Sequence, residues 1–280
     1  ISEKKIFGSL QHGLFMVNHF KKSNKNKKKI GERSFKTIPW FVWNNFIEDA
    51  SVKDKSNNVV SIGSPFLYLD KILSKNVFPI NKEVLVIPPK SAQEIDHNID
   101  YQRIIDFLMK KKFKKPYKIL VGQSDLEKIK KLNKNFDCKF VSCGDRNSKY
   151  FTFKLYKYIK EASAVVALYP GSPILYSVFL KKKTFYFKKR FLKYSQRKIF
   201  KNKKLNKSEK YDLKQNNLIL KLSWFNKYDQ YAIESFKKEY NINIFKLNNK
   251  NTYKKVLVAL GSNNIKSASE IKRIFGWNNI

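Results

Sequence analysis

The chain has 280 residues, 42% hydrophobic and 15% aromatic, and its 59 Lys and Arg against 22 Asp and Glu give a formal net charge of +37. That much apolar material excludes a globally disordered chain despite the charge, and the length allows one large or two modest domains. Lysines interrupt every long apolar run before the roughly 18 to 20 residues that a bilayer-crossing helix requires, so no integral membrane protein is expected.

Residue 1 is Ile and nothing near it has the order of a signal peptide, which predicts a chain whose beginning is missing. The first strand candidates are Lys5 to Ser9, Phe41-Val42-Trp43 and Val59-Val60-Ser61-Ile62, with a Lys- and Asn-rich exposed loop from Lys21 to Lys29. Residues 1–80 are too few for a complete α/β domain beside a second one, so they read as the C-terminal part of an N-terminal α/β domain.

From residue 84 short apolar blocks alternate with helical stretches. The blocks are Val84 to Ile87, Lys118 to Val121, Phe140 to Cys143, Ala164 to Leu168 and Thr184 to Phe187. The helical stretches are Tyr101 to Phe113, Asp125 to Lys134, Lys149 to Ala162 and Ser172 to Lys181, with Asp100, Ser124-Asp125 with Glu127, and Ser148 as caps of the first three. This alternation predicts a doubly wound, Rossmann-like parallel sheet over 81–280. Residues 190–215 read as a solvated Lys-rich insertion, 218–250 as a further strand and an amphipathic helix from Tyr228 to Tyr240, and Ser269 as the start of a last helix before Trp277. The expected architecture is α/β throughout, with a cleft between two halves.

Cys138 and Cys143, with four residues between them, fit neither a redox nor a zinc motif and read as reduced core residues of a cytoplasmic protein. Only six of the 59 basic residues are Arg. That skew resembles AT-rich coding more than selection for phosphate forks, so nucleic acid is not the favoured partner. Attraction to anions still follows, including peripheral contact with an anionic membrane at its cytoplasmic face.

Ligands of open α/β sheets sit at the carboxyl ends of the strands. There the chain places Pro88-Pro89-Lys90-Ser91, Gly144-Asp145-Arg146 and Tyr169-Pro170-Gly171-Ser172-Pro173. In the last, Gly171 permits close approach, Ser172 can cap, and Pro173 suits a first helical turn, an arrangement open to a phosphate or to nothing more than helix capping. Lys90 and Arg146 would add cations over the same edge. Walker and dinucleotide fingerprints are absent, as is a Gly-x-Ser-x-Gly elbow. His12 follows the first apolar block, where it suits either a general base or a structural tie. His19 reads as incidental. His97 is either a metal ligand with Asp96 or Asp100 or part of a capped loop; no metal site is expected. Trp40 and Trp43 suit ring stacking or core packing.

In their order, Gln11-His12-Gly13, Phe41-Val42-Trp43, Ile62-Gly63-Ser64-Pro65-Phe66-Leu67-Tyr68-Leu69, Pro88-Pro89-Lys90-Ser91, Gly144-Asp145-Arg146 and Gly171-Ser172-Pro173-Ile174-Leu175-Tyr176 together resemble bacterial surface-polysaccharide glycosyltransferases of the capsule and lipopolysaccharide type, with the two-Rossmann GT-B fold. The resemblance covers roughly residues 5 to 190. It implies a nucleotide-sugar donor as substrate, no cofactor or metal, and a glycan or lipid-linked acceptor. It puts the catalytic role on His12, donor phosphates on Lys90, Ser91, Gly144, Arg146, Gly171 and Ser172, and the acceptor side on Trp43 in residues 1–80. The resembling proteins carry His after Pro-Pro where this chain has Lys90, and Lys binds phosphate but shuttles protons poorly near neutral pH. The competing expectation is a non-catalytic polyanion-binding protein that uses the basic stretch.

Overall fold

The computed structural model describes residues 9–10, 40–45, 59–90, 95–132, 135–145, 148, 150–188, 191–197, 219–220 and 222–274. They divide into two compact units, residues 1–77 with 234–280 and residues 78–233.

In the first unit β1 (Ser9–Leu10), β2 (Trp40–Val42) and β3 (Val59–Ser61) form a parallel sheet in chain order. The candidates Phe41-Val42-Trp43 and Val59-Val60-Ser61-Ile62 fall on β2 and β3 with ends shifted by one residue, whereas of Lys5 to Ser9 only Ser9 is in β1 and residues 5–8 lie outside the described residues. Helix α1 (Pro65–Leu73) starts where the Ser64 hydroxyl accepts from the Phe66 N–H at 3.3 Å and Pro65 supplies a preset first turn.

The second unit is built on β4 (Val84–Ile87), β5 (Ile95–Ile99), α2 (Tyr101–Lys110), β6 (Tyr117–Val121), α3 (Gln123–Lys131), β7 (Lys139–Ser142), α4 (Phe151–Glu161), β8 (Ala164–Ala167), α5 (Ser172–Phe179) and β9 (Lys183–Tyr186). Five of its strands make one wholly parallel sheet in the order β7-β6-β4-β8-β9. The fold class read from the sequence, α/β with a parallel sheet and crossover helices, is therefore correct, and each of the five apolar blocks is one of its strands. Central strands β4, β6 and β8 are buried at every residue, whereas edge strands β7 and β9 are exposed in part. A sheet covered by helices on both faces demands this, since its inner strands have no solvent side. One face packs Ile104, Ile105 and Leu108 of α2 and Ile129 of α3 against Val84, Val86, Ile119 and Val121. Lys118 in buried β6 is accommodated by an ion pair with Glu83, and its ammonium stands 5.6 Å from the ring centroid of Tyr158.

Asp100 caps α2 as expected, its carboxylate accepting from the Arg103 N–H at 3.2 Å. Asp100→Ala should cost about 1 kcal/mol, the usual worth of an N-cap; a urea midpoint unchanged from wild type would show that the cap contributes nothing. The other caps differ from expectation. Helix α3 opens at Gly122, whose N–H is bonded by Asp125 at 3.3 Å, so Ser124 lies inside the helix. Ser148 holds the turn ahead of α4 by accepting from the Tyr150 N–H, while Tyr150 occupies the cap position.

Two stretches read as loops contain strands. β10 (Leu192–Arg197) pairs antiparallel with β5 and with β11 (Ile219–Leu220). His97 accordingly lies in β5 opposite Ser195, not in a capped loop, and the supposed insertion begins as a strand. Polar side chains such as Asp96, His97, Asn98, Ser195 and Gln196 leave no apolar alternation to read, so the pairing rests on main-chain bonds that composition does not announce.

Beyond α6 (Leu222–Tyr240), α7 (Lys250–Ala259) and α8 (Ala268–Ile274) belong to the first unit, whereas periodicity had grouped them with residues 81 onward. The bonds responsible are long-range. Asn44 donates to the Ala259 carbonyl at 2.9 Å, the Ser64 N–H to Leu260 at 2.8 Å, and the Lys266 N–H to the Tyr68 hydroxyl at 2.7 Å. Helix α8 is opened by Ser267 and Glu270 in a reciprocal pair, not by Ser269. Among the described residues no helix is long and apolar enough to cross a membrane.

Candidate functional site

The strand order places β4 beside β8 at the centre of the sheet, while the chain runs outward from β4 through β6 to β7 and only then returns to β8. Connections thus leave these two neighbours in opposite directions and open a crevice at their carboxyl ends. The Leu168 N–H donates to the Ile87 carbonyl at 3.0 Å and ties the two strand ends at its floor.

On the β8 side the crevice meets the start of α5. Gly171, not Ser172, is the cap residue; its backbone is extended and supplies no side-chain cap. Ser172 is therefore the first helical residue, and its hydroxyl makes no hydrogen bond among the described residues. Pro173 has no N–H, and the Ile174 N–H is used by the Gly171 carbonyl at 3.0 Å. No acidic residue lies in the first turn. The positive end of the helix is left uncompensated, with the N–H groups of Gly171 and Ser172 and one hydroxyl beside it. The Tyr169 ring rests on Gly171, so that a Cβ there would lie 2.8 Å from Cε2.

On the β7 side Gly144 has φ +83°, a conformation that favours glycine, and a Cβ added there would meet nothing within 4 Å. Its N–H donates to the Ser142 hydroxyl at 3.1 Å. Lys90, after buried Pro88 and Pro89, sends its ammonium to this side: Nζ stands 5.8 Å from the ring centroid of Phe151 at the start of α4. Burial lowers its pKa below the ordinary lysine value, partly opposed by Cys143 and Asp125. Cys143 is buried, and burial raises its thiol pKa against the pull of Lys90 and Lys154. Cys138 is pushed up to about 12, chiefly by burial. The two thiols are not joined in a disulfide and are neutral near pH 7; Cys143 is a core residue as expected, whereas Cys138 is half-buried.

Of the residues singled out in the sequence, Lys90, Gly144, Gly171 and Ser172 follow strands of the one parallel sheet at its carboxyl edge, with the Lys90 ammonium over Phe151 of α4. His12, Ser91 and Arg146 lie outside the described residues, as does His19. Trp43 corrects an expectation: at 1% exposure it is a core residue of the first unit and offers no ring face for stacking. Sequence reasoning missed Asp125, Cys143 and Phe151 around Lys90. Phe151 read only as part of an amphipathic helix; Cys143, directly before Gly144 at a strand end, was the available signal. Among the described residues no group of three or more His, Cys, Asp or Glu is placed to hold a metal ion.

No protein-family model and no curated protein matches the chain. Among solved structures it is similar to the UDP-GlcNAc 2-epimerase of Methanocaldococcus jannaschii, at 14% identity and a TM-score of 0.37 over 86% of this chain and 62% of that one. The same epimerase in complex with UDP-GlcNAc and UDP gives 14% identity and a TM-score of 0.35 over 79% of this chain and 60% of that one. The wall teichoic acid polymerase TagF, soaked with CDPG, gives 14% identity and a TM-score of 0.31 over 88% and 61%. This chain thus spans 60 to 62% of the length of each. Likenesses with TM-scores this far below 0.5 assign it neither fold nor activity, and the parallel α/β sheet stands on its own strand pairing.

Proposed function

We propose that the chain moves a sugar from a nucleotide-activated donor to a surface-polysaccharide acceptor, with the donor phosphates seated at the start of α5. The observation that carries this reading is the uncompensated N-terminus of α5 at the switch point of the sheet, with the Ser172 hydroxyl beside it. The order of sequence motifs supports it. Phosphate oxygens would accept from the Gly171 and Ser172 N–H groups and the Ser172 hydroxyl. In the reaction the acceptor oxygen bonds to the anomeric carbon, the bond from that carbon to the phosphate oxygen breaks, and the nucleotide leaves with the electron pair. The helix end stabilises the charge that develops on it. His12 takes the acceptor proton as general base, and Ser91, Arg146 and Gly144 complete the donor contacts. The reading takes the reaction to need no metal, the acceptor to be a glycan or lipid-linked chain, and the setting to be the cytoplasmic face of the membrane.

A thermal-shift screen with CMP, CDP, UDP, GDP and their sugar conjugates, at low and moderate salt, tests it on wild type and Ser172→Ala. Binding to the folded state alone raises the melting temperature. One nucleotide should give a salt-tolerant rise, and Ser172→Ala should weaken its affinity roughly tenfold or more, the worth of one hydrogen bond to a charged group. Small rises for every nucleotide that vanish with salt would instead mark indiscriminate anion binding by the basic surface.

A further inference from the structure

Basic charge is gathered at the edge of the main sheet opposite the candidate site. Because β4, β6, β7, β8 and β9 are parallel, the segments that lead into them all reach the sheet at its amino edge. Those segments, taken with the end of any helix before them, are residues 78–83, 110–116, 128–139, 157–163 and 180–183, and they hold sixteen lysines against Glu83, Asp137 and Glu161. The segments that follow the same strands, 88–94, 122–124, 143–149, 168–173 and 187–190, hold six basic residues against two acidic ones. A bias in coding would load both sets alike, and a helix C-terminus is satisfied by a cation in its last turn. The three carboxylates are already met, Glu83 by Lys118, Asp137 by Lys115 and Glu161 by Lys157 at 3.8 Å. Lys110, Lys112, Lys114, Lys130 and Lys131 are exposed. In the same segments and the α2 turn before them stand the aliphatic side chains of Ile80, Met109 and Leu132, 73%, 44% and 55% exposed.

No Arg occurs in the lysine-bearing segments, and none of their described aromatic residues is exposed. The edge therefore lacks the guanidinium forks and open rings that grip and stack nucleic acid. Ammonium groups around aliphatic tips match an anionic bilayer, whose phosphates meet the charge while the tips enter beneath them. We propose that the amino edge of the main sheet docks on an anionic lipid surface, with Ile80, Met109 and Leu132 entering the headgroup region. The proposal rests on the reading above for its membrane setting and gives that setting a face. The carboxyl edge, with the start of α5, then faces away from the bilayer, where a water-soluble donor reaches it.

Sedimentation of the full chain with lipid vesicles tests this. Vesicles of about one third phosphatidylglycerol in phosphatidylcholine should hold the protein at near-physiological salt, and phosphatidylcholine alone should not. Lys110→Gln, Lys114→Gln, Lys130→Gln and Lys131→Gln combined should weaken partitioning roughly tenfold or more. Lys237→Gln, Lys246→Gln, Lys250→Gln and Lys254→Gln combined remove the same charge from exposed positions of the first unit. This second set should change partitioning less than about threefold, since charge beyond a Debye length from the lipid is screened. Met109→Ser with Leu132→Ser should weaken it severalfold at unchanged net charge. Melting temperatures measured alongside show that each variant is folded. Absence of vesicle binding, or equal losses in the two lysine sets, overturns the docking face; duplex RNA held by the wild type and released by the first set, without vesicle binding, would give the edge to nucleic acid instead. Titration with CMP, CDP, UDP and GDP in parallel keeps the two readings apart. Vesicle binding without nucleotide binding overturns the donor site alone, and the reverse overturns the docking face alone.

Discussion

Gly261→Ala should unfold the first unit. The residue has φ +72°, and a Cβ added there would lie 1.5 Å from the carbonyl oxygen of Trp43, 2.6 Å from its carbonyl carbon and 3.1 Å from Cα of Gly63. All three are backbone atoms, so no side chain can swing aside to make room. The left-handed conformation alone costs an alanine about 1 to 2 kcal/mol, and forcing an extra carbon into a packed interior adds about 1 to 3 kcal/mol. Together these approach the whole stability of a marginal domain, about 5 kcal/mol at the low end. Trp43, Asn44, Ala259 and Asn264 are joined at this spot by hydrogen bonds, so the shift would also break the ties that hold the C-terminal helices to β2. Urea unfolding followed by tryptophan fluorescence, with limited proteolysis mapping the first cuts, reads the result. Stability within about 1 kcal/mol of wild type would mean that the close approach of Gly261 to Trp43 is not a feature of the folded chain.

Gly171→Val should weaken nucleotide binding at the proposed phosphate site about a hundredfold while leaving the fold intact. Its backbone, at φ −175° and ψ 176°, is extended and open to any residue, so no conformational strain follows. The added carbon would meet the Tyr169 ring at 2.8 Å and Pro173 Cδ at 3.6 Å. The nearest atom belongs to the far end of a side chain and not to the backbone, so a turn of the Tyr169 ring meets the clash. What is lost is access: two methyl groups and the displaced ring would then cover the N–H groups of Gly171 and Ser172 on which the proposed phosphate site rests. A fall of roughly a hundredfold in nucleotide affinity, about 2.7 kcal/mol, is expected with an unchanged melting temperature of the free protein. Unaltered affinity in a folded Gly171→Val protein would move the phosphates elsewhere and leave Ser172 as an ordinary first-turn residue.

The parallel sheet was legible because of how it is covered. Strands β4, β6 and β8 are buried on both faces, so each had to be a short continuous apolar run, and a run of that kind between amphipathic helices has few other readings. Asp100 was legible for a similar reason, since a cap acts on residues two or three positions away. The edge loops were legible as a set, because the carboxyl ends of parallel strands share one side of the sheet. Within that set the direction of Lys90 was not, as a four-carbon stem reaches several neighbours and the choice depends on where α4 sets Phe151. Helix starts slipped for a subtler reason. Gly122 and Gly171 each do what the nearby serine was expected to do, because an extended glycine and a carboxylate or free N–H beyond it complete the turn without a hydroxyl at the cap.

The parallel α/β class, the five strands of the main sheet and the helices between them could be read from the chain directly, since burial on two faces and local capping both leave marks within a few residues. Tertiary structure alone decided the order β7-β6-β4-β8-β9 and hence the switch point between β4 and β8, the polar ladder of β5 and β10, the burial of Trp43 and the return of residues 234–280 to the first unit. Those features rest on main-chain bonds and close approaches between residues up to 221 positions apart, as from Asn264 to Trp43. Periodicity cannot register such pairings, because it records which way a side chain faces and not what it meets there.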